Sequence, residues 1–467
     1  MHSHQYHVLK FGGTSMKTAD AIKQVCKVIS ENPLAKVVVV SAVGGVTDKL
    51  VAFQNRSDLN SAEKIQEIID IHTNIALNLR LSSEVILELK QEIEILKSFC
   101  QKPISTSDLD EILSLGERLS SLILFHYMHA NHKLSGKLKL KWLDARKVIK
   151  TDVHFGKSNP QIAEIAKAAE LYLNDIQDAV VYITQGFIGQ TINTLQTTTL
   201  GRGGSDYSAA LFAEALKASK LFIYTDVPGV FSIDPNMVSN ARQIAQLTFQ
   251  EMAEMANFGA KILHPATLAP CVRQKIPVMI LSTFEPELGG TLVTIDDSSQ
   301  EFSSSHRENV IHPLVRSITM RKNQVLVTVK SLNMLNAYGF LSNIFSILAK
   351  YKISVDLITT SEVSVALTID GTSLGSHGIN PFTNPELIEE LQKFSDLTIE
   401  DNLTLIAVIG PTLTGPGIAQ QVFAKLDDTN VRAICYGASA SSIGILVAQD
   451  AAKQVATVMH KKLIENM

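Results

Sequence analysis

The sequence predicts an α/β protein: a three-layer, mainly parallel sheet with helices on both faces, followed by two smaller α+β units. Three observations carry this. Short β-branched runs alternate with segments of helical periodicity across residues 1–295. Glycine-rich turns follow several of those runs. Beyond residue 310, a strand–helix–strand–strand–helix pattern occurs twice.

Val8 to Phe11 reads as a short buried strand, and Gly12-Gly13 turns it toward a helix from Ala19 to Ser30. Val37 to Val40 is an unbroken β-branched run, as expected of a strand buried on both faces. Apolar residues recur at helical spacing from Ala62 to Leu79 and from Ser83 to Phe99. Leu109 to Met128 is a third helical stretch, with an interruption expected at Gly116. Ala179–Thr184, Leu221–Tyr224 and Pro277–Leu281 read as further strands. Ligands of such sheets gather at the carboxyl ends of the strands. Lys10, Ser41, Gly186 and Asp226 all fall there, which places one site independently of any family.

The serine-rich stretch from Ser298 to His306 reads as a linker. In the first repeat, Val325–Lys330, Ser354–Ile358 and Val363–Ile369 are strands, and Phe340–Lys350 and Pro385–Phe394 are helices. In the second, Leu403–Ile409, Val431–Tyr436 and Ile443–Val447 are strands, and Gly417–Leu426 and Ala451–Leu463 are helices. The resulting division is residues 1–295, a linker over 296–310, a first repeat over 311–397 and a second over 398–467.

Composition narrows the function classes. A formal net charge of −4 over 467 residues argues against a nucleic-acid partner. No apolar run approaches the roughly 20 residues of a membrane span. The histidine-containing start, Met1 to His7, has no apolar core and reads as a fraying terminus, not a secretory signal. Cys26, Cys100, Cys271 and Cys435 show no pairing pattern, so free thiols in a reducing cytoplasm are expected.

Three motifs carry chemistry: Lys10-Phe11-Gly12-Gly13-Thr14-Ser15, Thr197-Thr-Thr-Leu-Gly201-Arg202-Gly203-Gly204-Ser205-Asp206, and Thr225-Asp226-Val227-Pro228-Gly229. Together they supply what a nucleotide triphosphate with Mg²⁺ and a small acceptor need. Gly12 and Gly13 let the backbone approach phosphate oxygens, and the Lys10 ammonium can neutralise charge on the transferring group. Neither a Walker loop nor a G-x-G-x-x-G fingerprint is present. In order along the chain, the three motifs resemble the amino-acid kinase superfamily, and within it the bacterial lysine-sensitive monofunctional aspartokinases. The repeats resemble paired ACT domains.

The resemblance implies ATP with Mg²⁺, L-aspartate as acceptor and L-lysine as feedback effector. It implies Lys10 and Asp206 as catalytic residues. The bare sequence also allows Asp206 as a helix N-cap. Arg202 is the expected clamp for the acceptor's α-carboxylate, with a phosphate contact or a structural ion pair as the plainer alternative. Glu117, beside Gly116, matches the position that receives the α-amino group, or is a helix-surface carboxylate. Thr47 and Ser41 match substrate contacts. Phe11, Gly12, Gly13, Thr225, Asp226, Phe231, Lys261 and Ile262 match the nucleotide site. Phe231 stands where relatives often carry tyrosine, and Asn236 where they commonly carry arginine. No protein metal ligands are expected, since Mg²⁺ arrives on the nucleotide.

The implied effector pocket comprises Met334, Ala337, Gly339, Phe340, Leu341, Ser354, Val355, Asp356, Ser361 and Glu362. Asp356 and Glu362 would receive the effector's side-chain ammonium; alternatively Asp356 caps a strand and Glu362 is solvated. Ala337 replaces a common serine. The sequence ends after the second repeat, so no fused homoserine dehydrogenase is expected. A homodimer through the repeats is implied, and a homotetramer when inhibited. The rival readings are a glutamate or N-acetylglutamate kinase of the same fold, and a catalytically inactive lysine sensor.

Overall fold

The computed structural model describes residues 5–54, 61–100, 103–131, 138–173, 180–260, 263, 265–295, 314–335, 338–371, 380–426 and 429–465. The chain divides into two compact units. The division is not one cut. Residues 231–242 and 250–260 belong with the C-terminal unit, although they precede the linker expected over 296–310.

The first unit is built on an eight-stranded sheet. Its strands are β1 (His7–Phe11), β2 (Ala35–Val40), β3 (Lys139–Leu143), β4 (Val180–Gln185), β5 (Lys220–Thr225), β6 (Gln246–Thr248), β7 (Val278–Ser282) and β8 (Gly290–Thr294). The order is β6-β8-β7-β5-β1-β2-β4-β3. Six adjacent strands run parallel, from β7 through β3. β8 pairs with β7 antiparallel. Val37 to Val40 are fully buried, as a central strand covered on both faces requires. Because β7, β5, β1, β2 and β4 are neighbours pointing the same way, Ser282, Thr225, Phe11, Val40 and Gln185 end at one edge.

The helix Thr106–Ala130 opens with a reciprocal capping box between Ser105 and Asp108. It is continuous for 25 residues, so the interruption expected at Gly116 does not occur. Gly116 has a packing role: a β-carbon there would lie 2.7 Å from the Ala42 side chain. The missing side chain lets the helix close onto the loop after β2.

The second unit carries a six-stranded antiparallel sheet: β9 (Ser317–Lys330), β10 (Leu357–Thr360), β11 (Ser364–Asp370), β12 (Asp396–Ile409), β13 (Ala433–Cys435) and β14 (Ser442–Ala448). The order β10-β11-β9-β12-β14-β13 is symmetric about the central β9–β12 pair, so the two repeats lie side by side. β9 and β12 are each 14 residues long, about twice what the pattern predicts. The polar stretches Arg321–Gln324 and Glu400–Asn402 read as strand ends, yet the chain runs through them. The register shifts between Arg321 and Leu326, and Asn323 (φ 58°) and Asn402 (φ 55°) adopt the left-handed conformation that asparagine tolerates. The expected strand at Ser354 begins only at Leu357. The last helix is Gln449–His460, followed by a π-helical turn over Lys461–Glu465. Each repeat has its own core: Val325, Val327 and Val329 with Ile344 and Leu348 in the first, Ile406 and Val408 with Ala456 and Met459 in the second.

Among the described residues no helix is long and apolar enough to cross a membrane. All four cysteines are free, and burial pushes the Cys271 thiol up to about 12.

Candidate active site

The loops at the carboxyl ends of β1, β2 and β4 line an open cavity of about 420 Å³. Lys10 reaches it from the penultimate position of β1, and Ser41 from just past the end of β2. Thr47 comes from the first turn of helix Val46–Gln54, and Glu117 from the long helix below. Arg202 and Asp206 come from the glycine-rich loop and first turn of helix Gly204–Leu216. Six residues separated by up to 196 positions thus share one space.

Backbone geometry explains the glycines. A β-carbon on Gly13 would sit 3.0 Å from the Ala42 carbonyl, and one on Gly186 would sit 2.6 Å from Ser205. Gly201 (φ 74°) and Gly203 (φ 73°) hold left-handed conformations that turn Thr199 sharply into the helix. Gly203 is the N-cap, so Asp206 is free of that duty and lies in the first turn. There its carboxylate meets Lys10, with Nζ to Oδ1 at 2.6 Å and both side chains largely buried.

Glu117 is 3% exposed, and Oε2 has no hydrogen-bond partner among the described residues. Burial pushes its carboxyl up to about 8, against the pull of the Ala42 N–H and the Lys10 ammonium. A buried, half-satisfied acid in a cavity is ready to receive a cation. Arg202 lines the same cavity, is exposed, and has no protein partner among the described residues. The site therefore offers an unengaged guanidinium, a buried acid and a lysine–aspartate pair, in a cavity lined by glycine backbone.

Other expected residues lie elsewhere. The Phe11 ring is fully buried and stacks on Tyr224 at 4.8 Å, so only its backbone can meet a nucleotide. Gly12 N–H donates to the Tyr224 carbonyl. Thr225 ends β5, next to β1, and Asp226 follows it, with Thr225 Oγ1 donating to Asp226 Oδ1 at 3.0 Å. Neither lines the cavity. Phe231 falls in the second unit. Lys261 and Ile262 lie outside the described residues. Among the described residues no three His, Cys, Asp or Glu side chains converge as a metal cage.

Cavity residues not singled out from the sequence include Gly44, Gly45 and Phe187. Phe187 adopts φ 67°, unusual for an aromatic residue, and its ring occupies the space a side chain at Gly204 would need. Nothing local in the sequence marks it.

Similarity to known proteins accords with this geometry. The sequence pattern of the amino acid kinase family matches residues 5–282, and that of an ACT domain matches 406–463. The lysine-sensitive aspartokinase 3 of Escherichia coli K12 is 42% identical over 463 residues, covering 98% of this chain and 99% of that protein. The chain belongs to the aspartokinases of the amino acid kinase family. An aspartokinase of Chlamydia pneumoniae is 33% identical, with 98% of each chain covered. Crystallised E. coli aspartokinase III in complex with aspartate and ADP superposes with a TM-score of 0.83 at 41% identity, covering 98% of this chain and all of that one. The same enzyme with lysine and aspartate gives 0.77 at 39% identity, with 98% and 99% covered.

In the second unit, Asp356 is the most engaged of the expected effector residues. Arg321 Nη1 lies 3.1 Å from its Oδ1, and Arg321 Nη2 lies 2.9 Å from Asp370. Burial raises the Asp356 carboxyl, and Arg321 opposes that rise. Ser354 and Val355 lead into Asp356. Met334 ends a short 3-10 turn, and Gly339 (φ 79°) caps the helix Phe340–Lys350. The Phe340 ring packs in the core against Phe394, leaving its backbone for any ligand, while Leu341 is exposed. Ser361 Oγ pairs with Ser364 Oγ at 2.7 Å, and Glu362 is exposed. Ala337 lies outside the described residues. The four-residue strand β10 separates Asp356 from Glu362, roughly 15–20 Å at 3.3 Å per residue. One chain does not bring these two carboxylates together around a single ammonium.

Proposed function

We propose that the chain is an aspartate kinase that transfers the γ-phosphoryl group of ATP to the β-carboxylate of L-aspartate, giving ADP and 4-phospho-L-aspartate. The observation that carries this is the cavity itself: Arg202 and Glu117 face the same space as the Lys10–Asp206 pair. Arg202 takes the acceptor's α-carboxylate and Glu117 its ammonium, which orients the β-carboxylate toward Lys10. Ser41 and Thr47 supply hydroxyl contacts.

The nucleophile needs no general base, because a carboxylate is ionised at neutral pH. An oxygen of the β-carboxylate bonds to the γ-phosphorus as the bond from that phosphorus to the β,γ-bridging oxygen breaks. The bond's electron pair leaves with ADP. Lys10 neutralises charge on the transferring group, held in position by Asp206. Phe11, Gly12 and Gly13 offer backbone to the phosphates, while Thr225, Asp226 and Phe231, with Lys261 and Ile262, serve the nucleotide. Mg²⁺ is assigned to the nucleotide's phosphates and water.

L-Lysine is assigned as the effector, bound in the second unit around Asp356, and the protein is assigned to the cytoplasm. A homodimer through the repeats is supported by exposed apolar residues of the first repeat: Leu332, Leu335 and Tyr338 between β9 and the helix Phe340–Lys350, and Ile358 on the edge strand β10. The test is turnover of L-aspartate with Mg-ATP, with and without lysine, threonine or methionine. Suppression by lysine alone supports both halves. Turnover of glutamate in place of aspartate would move the assignment to another kinase of this fold. Lysine binding without turnover would leave a sensor.

A further inference from the structure

Asp110 is fully buried and takes no part in the chemistry above. It lies on the helix Thr106–Ala130, about two turns before Glu117. Its carboxylate accepts from three donors on two other segments. The Gly156 N–H is shared between both oxygens at 3.0 Å each. The Thr199 N–H donates to Oδ2 at 2.8 Å, and the Thr199 hydroxyl donates to Oδ1 at 2.8 Å. Ser158 N–H in turn donates to the Thr199 carbonyl at 2.9 Å. The Gly156–Lys157 turn packs against Gly201, where a β-carbon would lie 3.3 Å from the Gly156 carbonyl. Among the described residues, every polar contact made by this carboxylate therefore bears on the three residues leading into Arg202.

We propose that Asp110 is a positioning residue for the acceptor: it fixes the Thr199–Arg202 segment against the helix that carries Glu117. This rests on the assignment of Arg202 and Glu117 to the two ends of aspartate. The spacing between a guanidinium and a carboxylate must match the substrate's own α-carboxylate and ammonium. A tie between the two elements that bear them sets that spacing. Asp206 is placed by the helix Gly204–Leu216, whose start is set by the close approach of Gly204 to Phe187 and of Gly186 to Ser205, besides the Gly204 N–H bond to the Gly201 carbonyl at 3.0 Å. The helix that carries Asp206 thus has anchors of its own, whereas Arg202 stands at the end of the segment tied to Asp110.

The experiment is a comparison of KM for aspartate and for ATP, with melting temperature, in the full chain carrying Asp110→Asn, Thr199→Val or Arg202→Ala. Asparagine places an NH₂ group against an N–H donor, so Asp110→Asn should raise KM for aspartate about tenfold while KM for ATP stays within about twofold. Thr199→Val removes one donor and keeps the shape. It should raise KM for aspartate by about threefold, and it decides the matter if Asp110→Asn fails to fold. A lower melting temperature with both KM values unchanged, or moved equally, would make Asp110 a purely structural residue. If Arg202→Ala raises KM for aspartate and the Asp110 and Thr199 variants do not, this inference alone is overturned. If Arg202→Ala leaves KM for aspartate unchanged, the acceptor assignment itself is wrong and the inference goes with it.

Discussion

Arg321 holds Asp356, at 3.1 Å from Nη1 to Oδ1, while its other amino group holds Asp370 at 2.9 Å. One cation thus faces two carboxylates, both largely shielded from solvent. Asp356 Oδ2 is unpartnered among the described residues. An incoming ammonium would find a carboxylate already part-neutralised. Arg321→Gln should therefore tighten lysine binding, by roughly fivefold for about 1 kcal/mol of freed attraction. Asp356→Asn should abolish binding. Calorimetric titration with lysine checks both, and weaker binding in the Arg321 variant would mean that Arg321 builds the pocket.

Glu117 makes substrate binding pH-linked. Its carboxyl is pushed up to about 8 in the ligand-free protein, chiefly by burial. It is thus mostly protonated at pH 7, and an arriving ammonium favours the ionised form. Aspartate binding at pH 7 should release about one proton, falling toward zero above pH 9. Calorimetry in buffers of different ionisation enthalpy measures this, and Glu117→Gln should remove it. The sign for stability follows from the same shift. A raised carboxyl favours the folded state at low pH. Its contribution is full below the unfolded value near 4.5 and is lost as pH rises through about 8. The pH profile of the Glu117→Gln variant should be flatter over that window.

Gly116→Ala sets two effects against each other. Alanine gains about 1 kcal/mol in helix propensity. Its β-carbon would lie 2.7 Å from the Ala42 side chain, and overpacking of that kind costs typically about 1–3 kcal/mol. The clash should win, lowering the urea midpoint. Because the Ala42 N–H bonds to Glu117, KM for aspartate should rise as well. A higher midpoint would show that the β2–helix junction can yield.

The Lys10–Asp206 pair predicts a split between binding and chemistry. Lys10→Met should slow single-turnover phosphoryl transfer by about a thousandfold or more. Asp206→Asn leaves the ammonium present but unheld and should cost about a hundredfold. Rapid-quench kinetics measure the step, and calorimetry should find aspartate binding within a few-fold of the unaltered protein. Loss of aspartate binding in both variants would place the pair in acceptor recognition.

Much of this protein is written in local pattern. The Val37–Val40 run is buried on both faces because an unbroken β-branched strand has no solvent side. Lys10, Gly12 and Gly13 stand at a strand end because a strand must turn there. The doubled βαββα pattern is legible because each copy carries its own apolar periodicity, and each packs its own core. What the sequence left open depends on partners far along the chain. Gly116 looks like a helix break until Ala42 occupies the space beside it. The strands β9 and β12 run past polar residues because each supplies the other's hydrogen bonds, which no single segment reveals. Asp110 is one acid among 46 until Thr199 and Gly156 close on it. Asp356 and Glu362, six residues apart in the sequence, are parted by an extended strand. Periodicity and turn chemistry act between near neighbours, so the sequence alone determines them; close packing and the pairing of buried charge act between segments, and only the folded chain decides those.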